Sequence, residues 1–320
     1  MNFLAASGIS TEVLQRLEES LRQSVIDDEF IKKSCIPLIQ GGKRLRPMLF
    51  LLCANSRGNI SVEKILPLAV ALELIHTASL VHDDILDSSK KRRGIETANS
   101  KYGAQIAVLI GDYLFAKAFQ LVAEGNYGNE VALILSQLVK NLCRGEIKQD
   151  LSLFKVPTLD EYYERFNLKT AIFLSTCCRL GGIVANLNRE EVDVLTAYGN
   201  SLGLAFQIVD DLLDFFGDEK ITGKTLGSDL KSGVITLPVI RALQVSKDTK
   251  ILREIISNKN ITPDEINSAV KIVRATDALT YCKFRATAHI DAAQISLPQI
   301  KNSVKLALCQ AADFVLMRNF

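Results

Sequence analysis

Two short runs of carboxylates hold most of the chemistry this chain could do. Asp83, Asp84 and Asp87 stand in LIHTASLVHDDILDSSKKRRG, from Leu74 to Gly94, and Asp210, Asp211 and Asp214 stand in FQIVDDLLDF. Both runs have the spacing DDxxD. On a helix turning about 100° per residue, the first and last aspartates lie about 40° apart, and the middle one falls within the same ~100° arc. All three carboxylates therefore share one face. Each run follows an apolar stretch, LELIHTASLV or SLGLAFQIV, near an expected helix C-terminus. The macrodipole there disfavours negative charge by roughly 0.3–1 kcal/mol per group. A solvated acidic face has no reason to choose that position twice, so a cation must offset the charge. Oxygen ligands with no cysteine nearby suit Mg2+, which keeps several waters and bridges carboxylates to phosphate. The expected chemistry is a small cluster of Mg2+ ions gripping a diphosphate between two facing acidic patches. The metal would neutralise the charge that grows on that diphosphate as it leaves.

Cationic residues accompany both clusters. Lys90, Lys91, Arg92 and Arg93 follow the first, Lys224 and Lys231 follow the second in GKTLGSDLKSG, and GGKRLRP (residues 41–47) lies upstream. Each run alone reads as a solvated face. Paired with carboxylate triads, they supply forks and point charges for phosphate oxygens. Ile75, Ala78 and Ser79 form a stripe beside the carboxylate face. Small residues there would either leave a groove for a hydrocarbon tail or serve ordinary close helix packing. Phe115 and Phe119, one turn apart, would floor that groove or be plain core. His76 projects on the carboxylate side, as a hydrogen-bonded core residue or as a donor to a second diphosphate. His82 abuts Asp83 and would orient it.

The elements that must position these groups are helices. The chain has 320 residues, 48% of them hydrophobic, enough for a large core. Apolar residues recur at helical spacing nearly throughout, as in Val108-Leu109-Leu114-Phe115-Ala118-Phe119-Leu121 and Val194-Leu195-Tyr198-Leu202-Ala205-Phe206-Val209. Thr158-Leu-Asp-Glu161 and Thr262-Pro-Asp-Glu265 fit capping boxes, the second with proline at the first helical position. Strand signals are scarce. The expected fold is all-α, ten or so helices in a single domain over residues 1–320. The irregular stretch Gly217–Gly233 is expected to be functional. A net charge of +2 gives no signal for nucleic acid or an anionic membrane. Seven cysteines without CxxC spacing read as reduced packing residues of a cytoplasmic protein. There is no basic leader and no run of about 18 unbroken apolar residues, so no transmembrane segment is expected.

With these motifs in view, the chain resembles the trans-isoprenyl diphosphate synthases, or polyprenyl synthetases. GGKRLRP, LIHTASLVHDDILD with RRG, GDYLFAKAF, LKTA, FQIVDDLLDF and GKTLGSDLKSGVITLP occur in order between Gly41 and Pro238. The resemblance implies an all-helical bundle around a central cavity and usually a homodimer. It implies metal-assisted ionisation of an allylic diphosphate, attack on the cation by the double bond of isopentenyl diphosphate, and proton loss. A dry apolar pocket would keep water from the cation. Carried over by motif, Asp83, Asp87, Asp210 and Asp214 look like metal ligands, with Asp84 and Asp211 in support. Lys43, Arg46, His76 and Arg93 look like the isopentenyl diphosphate site. Arg92, Lys169, Thr170, Gln207 and Lys224 look like the allylic site, with Lys169 counted among the catalytic groups. Two departures stand out. Val234 occupies a position where the family usually has lysine, a contact that Lys231 could supply, and GIET replaces the common GKPT after the arginine pair. Ala78 and Ser79 leave room for a medium-to-long product. The 75–84 run looks most like long-chain bacterial enzymes, including the catalytic subunit of two-component heptaprenyl diphosphate synthases, for which a small regulatory partner is expected.

Four rival readings are weaker. Glu73-Leu-Ile-His76 matches one half of a di-iron carboxylate site, but neither His82 nor His289 has a glutamate three residues earlier to give the second half. A non-catalytic regulatory subunit of the same fold would be expected to lose one aspartate cluster. A terpene cyclase or head-to-head synthase would use similar metal chemistry, but GGKRLRP and Arg92-Arg93 argue for a second diphosphate substrate and against cyclisation of one. A shorter-chain farnesyl or geranylgeranyl synthase remains the alternative within the family.

Overall fold

Helical periodicity becomes helix almost everywhere. The structure is a computed structural model and describes residues 10–58, 61–218 and 225–317. Among these residues there are sixteen α-helices, one π-helical segment and one two-residue antiparallel ladder, so the fold is all-α. The helices outnumber the ten or so expected because some breaks take a single residue. Gly103, at φ 83°, separates two helices without interrupting the apolar pattern. The chain divides into two compact units, each built from three stretches of sequence.

The first unit comprises the described residues of Met1–Val139, Thr176–Leu195 and Pro298–Leu308. Helices α1 (Thr11–Gln23), α2 (Glu29–Ile39) and α3 (Leu45–Ala54) lead to the long α4 (Val62–Leu86). Its 25 residues span about 37 Å. A short ladder, β1 (Lys91–Arg92) with β2 (Ile95–Glu96), follows, then α5 (Ala98–Tyr102) and α6 (Ala104–Glu124). Helix α4 packs along α6. At Gly111 a Cβ would stand 2.2 Å from His82 Nε2, so the glycine makes room for the His82 ring where it sits. Helix α7 (Gly128–Leu151) begins in this unit.

The second unit comprises Lys140–Ser175, Thr196–Leu297 and the described residues of Cys309–Phe320. It holds the end of α7, then α8 (Leu159–Phe166), a π-helical segment (Asn167–Ala171), the start of α9 (Ile172–Val184) and α10 (Arg189–Phe216) from Thr196 onward. The short α11 (Ser228–Lys231) follows, then α12 (Leu237–Val245), α13 (Thr249–Ser257), α14 (Pro263–Arg274) and α15 (Ala278–Ile295). Helix α16 (Asn302–Leu316) is shared between the units. Both expected capping boxes form: Thr158 with Glu161 at α8 and Thr262 with Glu265 at α14, where Pro263 takes the first turn.

Two helices are long and apolar enough to cross a bilayer by length and composition. They were not expected from unbroken apolar runs, because each carries charged residues. The apolar window of α4 is 78% buried within the fold, whereas that of α6 is 33% buried. All seven cysteines are free. Five are buried, while Cys143 is exposed and Cys309 half-buried, so those two are not core residues.

Candidate active site

The first aspartate cluster closes α4. The helix ends at Leu86 and Asp87 is its C-cap, its N–H returning to Asp83 O at 2.8 Å. Asp83 is half-buried, Asp87 exposed and Asp84 buried. The outer pair thus lies on the more accessible side, as i, i+4 neighbours must, while the middle residue turns inward. Asp84 is met there by Arg92, whose Nε donates to Oδ1 at 2.8 Å. Burial raises the Asp84 pKa, and the Arg92 guanidinium opposes that rise. His82 turns away from the cluster, donating from Nε2 to the Val108 carbonyl at 3.2 Å and standing 3.6 Å from Asp112. It ties the end of α4 to α6.

Arg92 and Arg93 are delivered by the β1–β2 ladder. Lys91 pairs with Glu96 and Arg92 with Ile95, and Arg93 (φ 53°) and Gly94 (φ 80°) fill the two turn positions. A two-residue turn with both φ positive matches the right-handed twist of its strands. The Arg93 guanidinium rests on Gly42, where a Cβ would lie 2.5 Å from Nη1. That contact brings Arg93 to the GGKRLRP loop, from which Lys43 extends to the surface. Arg46 Nη1 donates to His76 Nε2 at 3.1 Å. Burial first, then the positive charge of Arg46 and Arg93, holds the His76 pKa well below the usual histidine range. His76 is therefore a neutral ring with Nε2 as an acceptor and the proton on Nδ1.

Sequence reading missed what holds this loop. Arg44 is buried in the left-handed region at φ 50°. Its guanidinium grips both Glu18 oxygens, at 2.5 and 2.8 Å, donates to Glu73 at 2.7 Å and also to the Ile39 carbonyl. One side chain thus joins α1, α2 and α4 beneath Lys43 and Arg46. No periodicity announces it, because its two carboxylate partners are 26 and 29 residues away in sequence.

The second cluster lies near the end of α10. Asp210 is half-buried, Asp211 fully buried and Asp214 buried. Asp211 accepts from Tyr162 Oη at 2.6 Å and Gln207 Nε2 at 2.8 Å. Burial pushes its pKa up to about 7, against the pull of those donors. Asp214 has a second task not expected from its motif. It accepts from Ser228 N (2.9 Å), Ser228 Oγ (2.6 Å) and Asp229 N (3.1 Å), capping α11 in the GSDLK stretch. Lys231 is exposed on that helix. Lys224 lies outside the described residues.

Lys169 and Thr170 sit on the π-helical segment. Such segments are frequent at functional sites. Gly203 on α10 makes the approach possible: a Cβ there would stand 2.4 Å from Ala171 Cα. One turn on, Thr170 Oγ1 donates to Gln207 Oε1 at 2.7 Å. Lys169 Nζ is held by Glu146 at 2.6 Å and by Gln149 at 3.3 Å, both on α7 and both missed in the sequence. Arg165, buried one turn after Tyr162, donates to the Ile235 carbonyl at 2.7 Å within the electrostatic reach of Asp211 and Asp229.

The stripe residues divide. Ile75 and Ala78 have no accessible surface, so as they stand they wall no open channel. Ser79, Phe115 and Phe119 are half-buried. Ser79 Oγ bonds back to His76 O at 2.8 Å, and the Phe115 ring lies 5.7 Å from that of His82.

Among the described residues no three His, Cys, Asp or Glu side chains form a closed metal cage. Carboxylates grouped in pairs at helix ends instead suit a hard cation that takes its remaining ligands from water and phosphate.

Comparison with known proteins places these motifs in context. The family model for polyprenyl synthetases matches residues 28–273. The chain is 36% identical over 312 residues to the short chain isoprenyl diphosphate synthase of Methanocaldococcus jannaschii, covering 96% of this chain and 94% of that protein. It is 37% identical over 285 residues to heptaprenyl diphosphate synthase component 2 of Geobacillus stearothermophilus, covering 87% of each. A crystal structure of a polyprenyl synthase from Caulobacter crescentus CB15, complexed with calcium and isoprenyl diphosphate, superposes with a TM-score of 0.92 at 29% identity, covering 100% of this chain and 98% of that one.

Proposed function

The chain belongs to the polyprenyl synthetase family of prenyltransferases, and from that premise we propose that it condenses an allylic diphosphate with isopentenyl diphosphate to give a medium-to-long all-trans polyprenyl diphosphate. The observation that carries this reading is the cationic set beside the first aspartate cluster. Arg93 seated on Gly42, Arg46 bonded to His76, and Lys43 on the same loop make a receptor for a diphosphate that needs no metal. The second unit carries its own group, Lys169, Thr170 and Gln207. Two phosphate-binding sets suit two diphosphate substrates better than the single substrate of a cyclase. Both intact aspartate clusters suit a catalytic chain better than a regulatory one.

Asp83, Asp87, Asp210 and Asp214 would hold Mg2+, a reading supported by their all-oxygen chemistry and by the calcium-bound Caulobacter relative. Bound Mg2+ would supply positive charge to the allylic diphosphate as it leaves. The chain's own residues do the rest. Arg92, Lys169, Thr170 and Gln207 would orient the allylic diphosphate, and Lys43, Arg46, His76 and Arg93 the isopentenyl one. The neutral His76 would offer Nδ1–H while Arg46 fixes its tautomer.

The continuous family match across residues 28–273 supports one catalytic domain. A second copy would cover the poorly buried apolar face of α6, where Val108 and Leu109 are 41% and 58% exposed, giving a homodimer. A small regulatory partner is the alternative suggested by the Geobacillus relative's name. Seven free cysteines suit a reducing cytoplasm. One observation favours the short-chain alternative: Ile75 and Ala78 are closed off, and the Methanocaldococcus relative is named a short-chain enzyme. The test is incubation with radiolabelled isopentenyl diphosphate, several allylic primers and Mg2+, with products sized by chromatography. No incorporation with any primer would refute the reading, and the product size decides between long and short chains.

A further inference from the structure

Three hydrogen bonds run in series through the second unit and end on a residue that no motif singles out. Thr170 Oγ1 donates to Gln207 Oε1 at 2.7 Å, Gln207 Nε2 donates to Asp211 Oδ1 at 2.8 Å, and Tyr162 Oη donates to Asp211 Oδ2 at 2.6 Å. Each bond fixes the next. A glutamine amide can be turned either way, and which end faces which neighbour is set by its partners. Here Asp211, an acceptor at both oxygens, requires the amide nitrogen, so the amide oxygen must face Thr170. Asp211 can impose this only if its own carboxylate plane is fixed. Gln207 holds one oxygen and Tyr162 the other.

The phenol is itself well anchored. Tyr162 is buried, and its ring stands edge-on to Phe166 at 4.8 Å and to Tyr163 at 5.3 Å. Tyr162 is the fourth residue of the capped helix α8, five residues before the π-helical segment that carries Lys169 and Thr170. The ring is thus a rigid post between α8 and α10. Without that hydroxyl the buried carboxylate would keep the Gln207 amide as donor and its plane could turn about the Cβ–Cγ bond. The amide and then Thr170 would lose their fixed orientation.

We propose that Tyr162 is a positioning residue for the allylic diphosphate site, acting through Asp211 and Gln207 to set the direction in which Thr170 and the Gln207 amide meet the substrate. The proposal rests on the two-substrate reading above. It predicts an effect confined to one substrate, which a general loosening of the fold would not give.

The experiment compares wild-type protein with Tyr162→Phe and Phe166→Leu. Steady-state kinetics are taken separately against the allylic primer and against isopentenyl diphosphate, with thermal melts of each protein. Tyr162→Phe keeps the ring and removes only the hydroxyl. The expected result is a rise of about fivefold to tenfold in KM for the allylic diphosphate, with KM for isopentenyl diphosphate within about twofold of wild type. Phe166→Leu disturbs the same ring packing without touching the bonded series, and should lower the melting temperature without splitting the two KM values. Equal changes in both KM values for Tyr162→Phe, no change in either, or the same split in Phe166→Leu would each overturn the proposal. A wild-type protein that consumes neither substrate would instead refute the two-substrate reading.

Discussion

Position 79, rather than 78, should govern product length, and the two can be separated. Both residues lie on the stripe that leads away from Asp83 along α4, Ser79 about 6 Å below it by helical rise. Ala78 has 0% exposure, so a phenylalanine ring there must displace packed neighbours. Overpacking of a closed core costs about 1–3 kcal/mol, which lowers the melting temperature of a chain this size by about 2–5 °C. Ser79 is half-buried, and its one bond is a return to the His76 carbonyl. Replacing it loses a back-bond worth about 1 kcal/mol or less, and the ring can extend into accessible space. Ser79→Phe should therefore melt near the wild-type temperature and make shorter products. Ala78→Phe should lose stability first, whatever it does to chain length. The assay is reversed-phase sizing of labelled products beside a thermal melt of each variant. A fully active Ser79→Phe with the wild-type product distribution would remove Ser79 from the tail path. An Ala78→Phe that melts normally would show that Ala78 borders open space after all.

Other outcomes follow from the same geometry. Arg44→Met leaves Glu73 buried without its cation and should cost about 3–5 kcal/mol, read by denaturant titration. His76 is neutral in the fold with a depressed pKa, so the unfolded chain binds more protons once pH drops below about 6.5. Its stabilising contribution is thus complete above that pH and is lost as pH falls toward the folded pKa. His76→Gln, which keeps an acceptor for Arg46, should remove up to ~1.4 kcal/mol per pH unit of that slope in paired pH-dependent melts. Chelation of divalent ions should abolish turnover and Mg2+ should restore it. Asp83→Ala should lower kcat by at least ~100-fold at saturating Mg2+. Leu109→Glu should convert a dimer to monomer in sedimentation analysis, and an unchanged sedimentation coefficient would exclude α6 as the interface.

The helical class and both capping boxes were legible because each is written locally. A 3.6-residue period and a Thr-x-x-Glu spacing need no partner from elsewhere in the chain. The acidic and basic motifs were legible for the same reason. The residues that hold those motifs were not. Arg44 works through Glu18 and Glu73, Lys169 through Glu146 and Gln149, and Asp211 through Tyr162, at separations of 20 to 49 residues. Charge at such distances has no signature in a single sequence. The π-helical turn at Asn167–Ala171 was hidden too, since one extra residue in a turn leaves apolar periodicity nearly intact. Its cue is Gly203, read only as a helical glycine until the neighbouring backbone is seen at 2.4 Å from where a Cβ would be.

The placement of six aspartates near helix C-termini also acquires a finer meaning. In each cluster the middle residue is buried and bonded to a group of its own unit, Asp84 to Arg92 and Asp211 to Tyr162 and Gln207. Asp83, Asp87 and Asp210 keep accessible surface. The i, i+4 geometry produces this division: the outer pair lies on one edge of the arc and the middle residue on the other, turned toward the fold. The protein thus supplies the middle carboxylate with a partner, a cation for Asp84 and two neutral donors for Asp211, which burial requires. Of the outer carboxylates, Asp214 is buried and caps α11, while Asp83, Asp87 and Asp210 keep their accessible charge at a helix end that disfavours it. A bound cation would offset that cost. The middle aspartates should accordingly respond to loss of Arg92 or Tyr162 in the metal-free protein, and the outer ones to Mg2+ concentration. A double-mutant comparison of Arg92→Gln with Asp84→Asn, with and without the metal, separates the two kinds of aspartate. Coupling that vanishes without metal would place Asp84 among the outer, metal-facing kind instead.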